Sequence, residues 1–86
     1  MKNRCKHEII ADILKLCNKK EATVTEIVKE CSLAGIQAKY FLSLLTENGL
    51  LIRTKLKHSR AITHRTTEKG KEYLKKLEQL TSILPS

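Results

Sequence analysis

Leu33-Ala34-Gly35-Ile36-Gln37-Ala38-Lys39-Tyr40-Phe41-Leu42-Ser43-Leu44-Leu45-Thr46-Glu47-Asn48-Gly49-Leu50 is the stretch on which the fold turns. Ala38, Phe41, Leu42 and Leu45 repeat at the three-and-four spacing of one helical face, so a helix is predicted from the turn around Ser32 to Gly35 as far as Asn48. Gly49 supplies the left-handed residue that stops it. Gln37, Lys39, Tyr40 and Ser43 then fall on its exposed side.

On the N-terminal side, a shorter helix reaches Cys31 or Ser32 with Ile27, Val28 and Cys31 facing inward. Thr25 is the expected N-cap, while Thr23 and Glu26 offer a competing capping-box spacing. Ala22-Thr23-Val24 suits a very short strand. Before it, Ile9, Ile10, Ile13, Leu14 and Cys17 define the apolar face of a first helix over Lys6–Cys17, ended by Asn18, Lys19 and Lys20. On the C-terminal side, Leu51–Leu56 and Ala61–Thr66 alternate apolar or β-branched with polar residues around Lys57-His58-Ser59-Arg60, the pattern of a hairpin. Thr67 caps a last helix from Glu68 that carries Tyr73, Leu74, Leu77, Leu80 and Leu84 before Pro85. The order is α-(β)-α-α-β-β-α, a mainly α fold with a small β-hairpin, and the tight link between the second and third helices is what a winged helix-turn-helix requires. Residues 1–5 are expected to be a flexible basic N-terminus, 6–66 the domain, and 67–86 a C-terminal helix that serves dimerisation.

The chain has 86 residues, enough for a single modest core. Its 17 Lys and Arg against 9 Asp and Glu give a formal charge of +8, which favours a polyanionic partner. The charge is concentrated: no acid falls between Glu47 and Glu68, whereas Arg53, Lys55, Lys57, Arg60 and Arg65 all do. No apolar run is long enough to span a membrane, and no signal-type region follows the N-terminus, so a cytoplasmic, nucleoid-associated protein is expected. Cys5, Cys17 and Cys31 form no CxxC pair; Cys17 and Cys31 lie on apolar helix faces and read as buried hydrophobes, and Cys5 with His7 lacks the further ligands a metal needs. No metal and no cofactor is assigned.

An α-helix fits the major groove of DNA, with polar side chains near its N-terminus reaching base edges. Gln37 suits a paired contact to adenine, Lys39 guanine or phosphate, and the hydroxyls of Tyr40 and Ser43 phosphate oxygens. Thr25 presents a hydroxyl at the start of the second helix. Arg53, Lys55, Lys57 and Arg60 line the hairpin, with Arg60 the candidate for a minor-groove insertion. His7, His58 and His64 lie in three different elements, and no nucleophile, base and orienter converge, so no enzymatic role is expected. His64 alternates in phase with Ile62 and Thr66 and reads as a partly packed strand residue.

The run Leu33 to Leu42, followed by Leu44-Leu45, Gly49-Leu50 and Thr67-Glu68-Lys69-Gly70-Lys71-Glu72, resembles small basic archaeal winged-helix proteins that bind DNA. The resemblance covers roughly residues 6–80, and it implies DNA binding and dimerisation through a C-terminal helical coiled coil. The threonine-glutamate-lysine-glycine element recurs across many winged-helix regulators and speaks for the fold rather than for one family. This sequence departs from the pattern at Gly35, where a tyrosine is usual, and at His64 and Thr66, where tyrosine and leucine are more common. In the last helix Tyr73, Leu77, Leu80 and Leu84 follow the four-three-four spacing of a coiled-coil seam, leaving Leu74 for the chain's own core. The expected function is double-stranded DNA binding by a homodimeric transcriptional regulator. The alternatives are an architectural chromatin-type protein, a winged-helix interaction adaptor, or a sensor acting through a reactive thiol. No small-molecule ligand is deducible.

Overall fold

The computed structural model describes residues 6–55 and 62–83, with side chains as far as residue 79. The elements run α1 (Lys6–Lys19), β1 (Ala22–Thr23), α2 (Val24–Glu30), α3 (Gly35–Glu47), β2 (Leu51–Lys55), β3 (Ile62–Thr66) and α4 (Glu68–Ile83). The strands form one antiparallel sheet in the order β1-β3-β2. Helix α1 continues two residues past its expected end, while β1 stops at Thr23 because Val24 already opens α2. The outer ends expected for the hairpin strands, Leu56 and Ala61, lie outside the described residues.

The apolar stripe of α1 forms the floor of the core. Ile13, Leu14 and Cys17 are fully enclosed, as are Ile27 from α2 and Ala38 from α3, and Leu45, Leu51 and Leu74 close over them. Among the few polar groups in this core, Thr66 on β3 donates its hydroxyl to the Leu14 carbonyl at 2.7 Å, fastening the sheet to α1. Such a bond removes the penalty that a buried unpaired hydroxyl would carry. No helix among the described residues is long and apolar enough to cross a membrane.

Helices α2 and α3 end in the same way. The Leu33 N–H donates to the Val28 carbonyl at 3.0 Å around Ser32, whose φ is 52°. The Leu50 N–H donates to the Leu45 carbonyl at 2.9 Å around Gly49, whose φ is 75°. Both are Schellman closures with a buried leucine just beyond the left-handed residue. The left-handed residue of the helix-turn-helix link is therefore Ser32, while Gly35 is the first residue of α3.

Thr67 joins α4 to the end of α3. Its hydroxyl donates to the Gly49 carbonyl at 2.6 Å and accepts the Gly70 N–H at 3.0 Å, and its own N–H donates to the Leu50 carbonyl at 3.0 Å. Gly70 sits so close that a Cβ there would collide with the Leu50 carbonyl oxygen and with Thr66 Cγ2. Glycine at this position is a packing requirement.

The expected cap of α2 is corrected. Thr23, not Thr25, is the N-cap: its hydroxyl accepts the Glu26 N–H at 3.2 Å, and Glu26 accepts the Thr23 N–H at 3.1 Å in return. Glu26 sits three residues after the cap, the only spacing at which the reciprocal bond closes, and Lys20 holds it from the other side at 2.6 Å. That contact, followed by the Thr23 bond, keeps the Glu26 carboxyl below its usual range. Thr25 is exposed in the first turn. Urea unfolding should therefore show Thr23→Ala losing about 1 kcal/mol and Thr25→Ala staying within about 0.5 kcal/mol of the parent, the reverse of the outcome for a Thr25 cap.

Candidate nucleic-acid interface

Helix α3 turns Ala38, Phe41, Leu42 and Leu45 into the core and leaves Gln37, Lys39, Tyr40 and Ser43 exposed, as its periodicity requires. Tyr40 stands edge-on to Phe41, with ring centroids 5.2 Å apart, so a buried aromatic braces a half-exposed one. Gln37 is partly engaged within the chain: its side-chain carbonyl accepts the Ala34 N–H at 3.1 Å, capping the helix it belongs to. A paired contact to adenine uses both ends of the amide, and here the carbonyl end is already bonded.

The strand register decides what faces α3. Leu51 pairs with Thr66, Arg53 with His64 and Lys55 with Ile62, and paired residues share a face, so the hairpin cations Arg53 and Lys55 stand over the same side as His64. Between this face and α3 lies an open groove of about 430 Å³, bordered by Lys39, Ser43 and Glu47 from the helix and by Arg53, Ile62 and His64 from the strands. Lys39 and Arg53 thus face one cleft from two elements. Lys57 and Arg60 lie outside the described residues, as do Cys5 and Leu84, and the Leu80 side chain is not described.

His64 is more buried than its alternation suggested, at 4% exposure. It bonds to the backbone of Ala22, its partner across β1, and its Nδ1 is buried without a partner among the described residues. Burial pushes its pKa below the ordinary value; the Ala22 bond opposes this and the nearby Arg53 charge adds to it. Cys17 and Cys31 are buried, and burial pushes the Cys17 thiol up to about 12, which suits a packing group and not a reactive thiolate. Among the described residues no group of three or more His, Cys, Asp or Glu side chains is placed to hold a metal ion.

One exposed residue was not singled out by composition or motif. Ile36, in the first turn of α3, is 85% exposed. The signal was present in the spacing, because Ile36 falls out of phase with the Ala38-Phe41-Leu42-Leu45 stripe and in phase with Tyr40 and Ser43. On α4, Leu74 is buried in the core as expected, whereas Tyr73 and Leu77 are half-buried against it. The chain's own core thus covers part of the expected seam.

The sequence model of the winged helix-turn-helix family matches residues 3–84. Among solved structures, the chain is similar to Sso10a-2, a DNA-binding protein from Sulfolobus solfataricus, at 25% identity and a TM-score of 0.82, covering 93% of this chain and 81% of that one. It shares its fold with the transcriptional regulator BldR from Sulfolobus solfataricus, at 15% identity and a TM-score of 0.77, covering 92% of this chain and 63% of that one. It also shares its fold with the transcriptional repressor CouR bound to a 23-mer DNA duplex, at 23% identity and a TM-score of 0.75, covering 84% and 52%. This chain therefore spans between half and two-thirds of the length of those two regulators. No curated protein sequence matches it.

The His64 environment has a measurable consequence. Its folded-state pKa lies below the unfolded value near 6.5, so as pH falls the unfolded chain takes up the proton first. The stabilisation is complete above about pH 6.5 and is lost as the pH drops below that value. In urea melts between roughly pH 5 and 8, His64→Gln should flatten this part of the stability curve; a variant as steep as the parent would assign the dependence to another group.

Proposed function

Because the chain belongs to the winged helix-turn-helix family, we propose that it binds double-stranded DNA as a transcriptional regulator, with α3 in the major groove and the hairpin over the flanking backbone or minor groove. The observation that carries this reading is the placement of Lys39 on α3 and Arg53 on β2 on either side of one groove. A phosphate backbone that separates two grooves of a duplex would meet cations from both elements, in a chain whose formal charge is +8. Tyr40 and Ser43 extend that surface along the helix, Lys55 extends it along the strand, and Lys57 and Arg60 continue the basic run in sequence. Gln37 contributes its amide N–H groups, and Thr25 its exposed hydroxyl. Sso10a-2, a DNA-binding protein, and CouR, a repressor bound to a DNA duplex, support the same reading by their likeness to this chain. It is a binding function and not an enzymatic one, exercised at the nucleoid in the cytoplasm.

The test is fluorescence anisotropy of a mixed-sequence duplex titrated at several salt concentrations. The log of the affinity should fall linearly with log salt, at roughly −0.9 per phosphate neutralised. Lys39→Ala/Arg53→Ala should weaken binding and make the slope shallower by up to about two, with Lys57→Ala/Arg60→Ala doing the same for the basic run that follows β2 in sequence. No binding at low salt would turn attention to a protein partner. An architectural role differs from a regulatory one in lacking a preference, commonly about a thousandfold or more, for one sequence over bulk DNA.

The active species is inferred to be a homodimer joined through residues 67–86. Tyr73 and Leu77 keep part of their surface open on α4, and Leu80 and Leu84 extend their spacing in sequence. Sedimentation should give about twice the 9.8 kDa chain mass, and Leu80→Lys/Leu84→Lys should return it to the monomer value. A parent protein that sediments at the chain mass would remove the dimer.

A further inference from the structure

Base edges in the major groove present hydrogen-bond donors and acceptors, with one apolar exception, the 5-methyl group of thymine. The exposed face of α3 is mixed in the same way. Lys39 and Ser43 are polar, but Ile36 is 85% exposed and Tyr40 is 52% exposed one turn further on. Single exposed apolar residues are common on protein surfaces and carry no meaning by themselves. Three observations distinguish Ile36.

It lies in the first turn of α3, the part of a recognition helix that reaches deepest towards base edges. Its neighbour Gly35 is open, with nothing within 4 Å of where a Cβ would stand, so no preceding side chain keeps a duplex away from Ile36. The adjacent polar residue, Gln37, has its carbonyl bonded to the Ala34 N–H at 3.1 Å, which reduces what it can offer a base. The least encumbered side chain at this end of the helix is therefore an aliphatic one, and the exposed Lys39, three residues further along the helix, supplies a cation for a polyanion.

We propose that Ile36 reads the 5-methyl group of a thymine in the major groove. This rests on the DNA-binding reading above and adds to it a specificity-determining residue and the base that it selects.

Deoxyuridine pairs as thymidine does and lacks only that methyl, so it isolates the contact. A preferred duplex is selected from a random-sequence library with the full chain. Each thymidine is then replaced in turn by deoxyuridine, and anisotropy titrations compare the parent with Ile36→Ala. At one thymine per half-site the parent should bind the uracil duplex about three- to five-fold more weakly, the effect of one methyl removed from an apolar contact. Ile36→Ala should bind both duplexes alike, so the two changes are non-additive. The variant should keep the parent's salt slope and melting temperature, since it removes no charge and alanine is the better helix former.

A parent indifferent to uracil at every position would overturn the inference, as would an Ile36→Ala variant that still discriminates. A library that enriches no sequence would also overturn it while leaving DNA binding in place. Failure to bind any duplex is a different result, because it removes the DNA reading itself.

Discussion

Ile13, Leu14 and Cys17 on α1 meet Ile27, Ala38, Leu45 and Leu74 from three other helices, and Thr66 anchors the sheet to the Leu14 carbonyl. A chain of 86 residues buries a smaller fraction of its surface than a larger domain does, so it depends on this one cluster. Each exposed group of the proposed interface is oriented by something in it. Phe41 sits in the core and braces Tyr40; Leu42 and Leu45 fix the rotation of α3; His64 and Thr66 fix the height of the hairpin. The Cys17 thiol belongs to the same cluster, and burial holds it protonated.

The long elements were legible because their signals repeat. Five residues of α1 and four of α3 mark one face each, and Gly49 and Thr67 occupy positions where only a few residue types close a helix. The start of α2 was less legible because two threonines stand two residues apart, and either can cap. The tie is broken by Glu26, which closes the box onto Thr23 three residues back and is itself held by Lys20 six residues away, a contact the spacing alone does not weigh. At His64 the phase was readable but the depth was not, since depth depends on β1 arriving from 42 residues earlier to pair Ala22 with it. In the proposed interface, composition pointed to the cations and amides, while the self-bonding of Gln37 and the exposure of Ile36 emerge only once the helix has a definite rotation.

The two faces of α3 divide the work between fold and contact. Its inner face is made of buried residues, and its outer face carries side chains of unlike chemistry: an aliphatic group, an ammonium, a phenol and a hydroxyl. Since the inner face admits one rotation, the outer side chains are presented in a fixed order along the helix. The strand register does the same for Arg53 and Lys55, because a slip of one residue would send both to the opposite side of the sheet.

The joint at Thr67 gives this rigidity a longer reach. Two carbonyls at the end of α3 are held by one threonine, and Gly70 sits against one of them too closely to admit a methyl group. The start of α4 is thereby tied to the turn that follows α3, while the helix itself packs against α1. A second copy docked on α4 would set the separation of the two α3 helices in the manner of a ruler, and the joint would contribute to the register between them alongside the surface proposed to touch DNA.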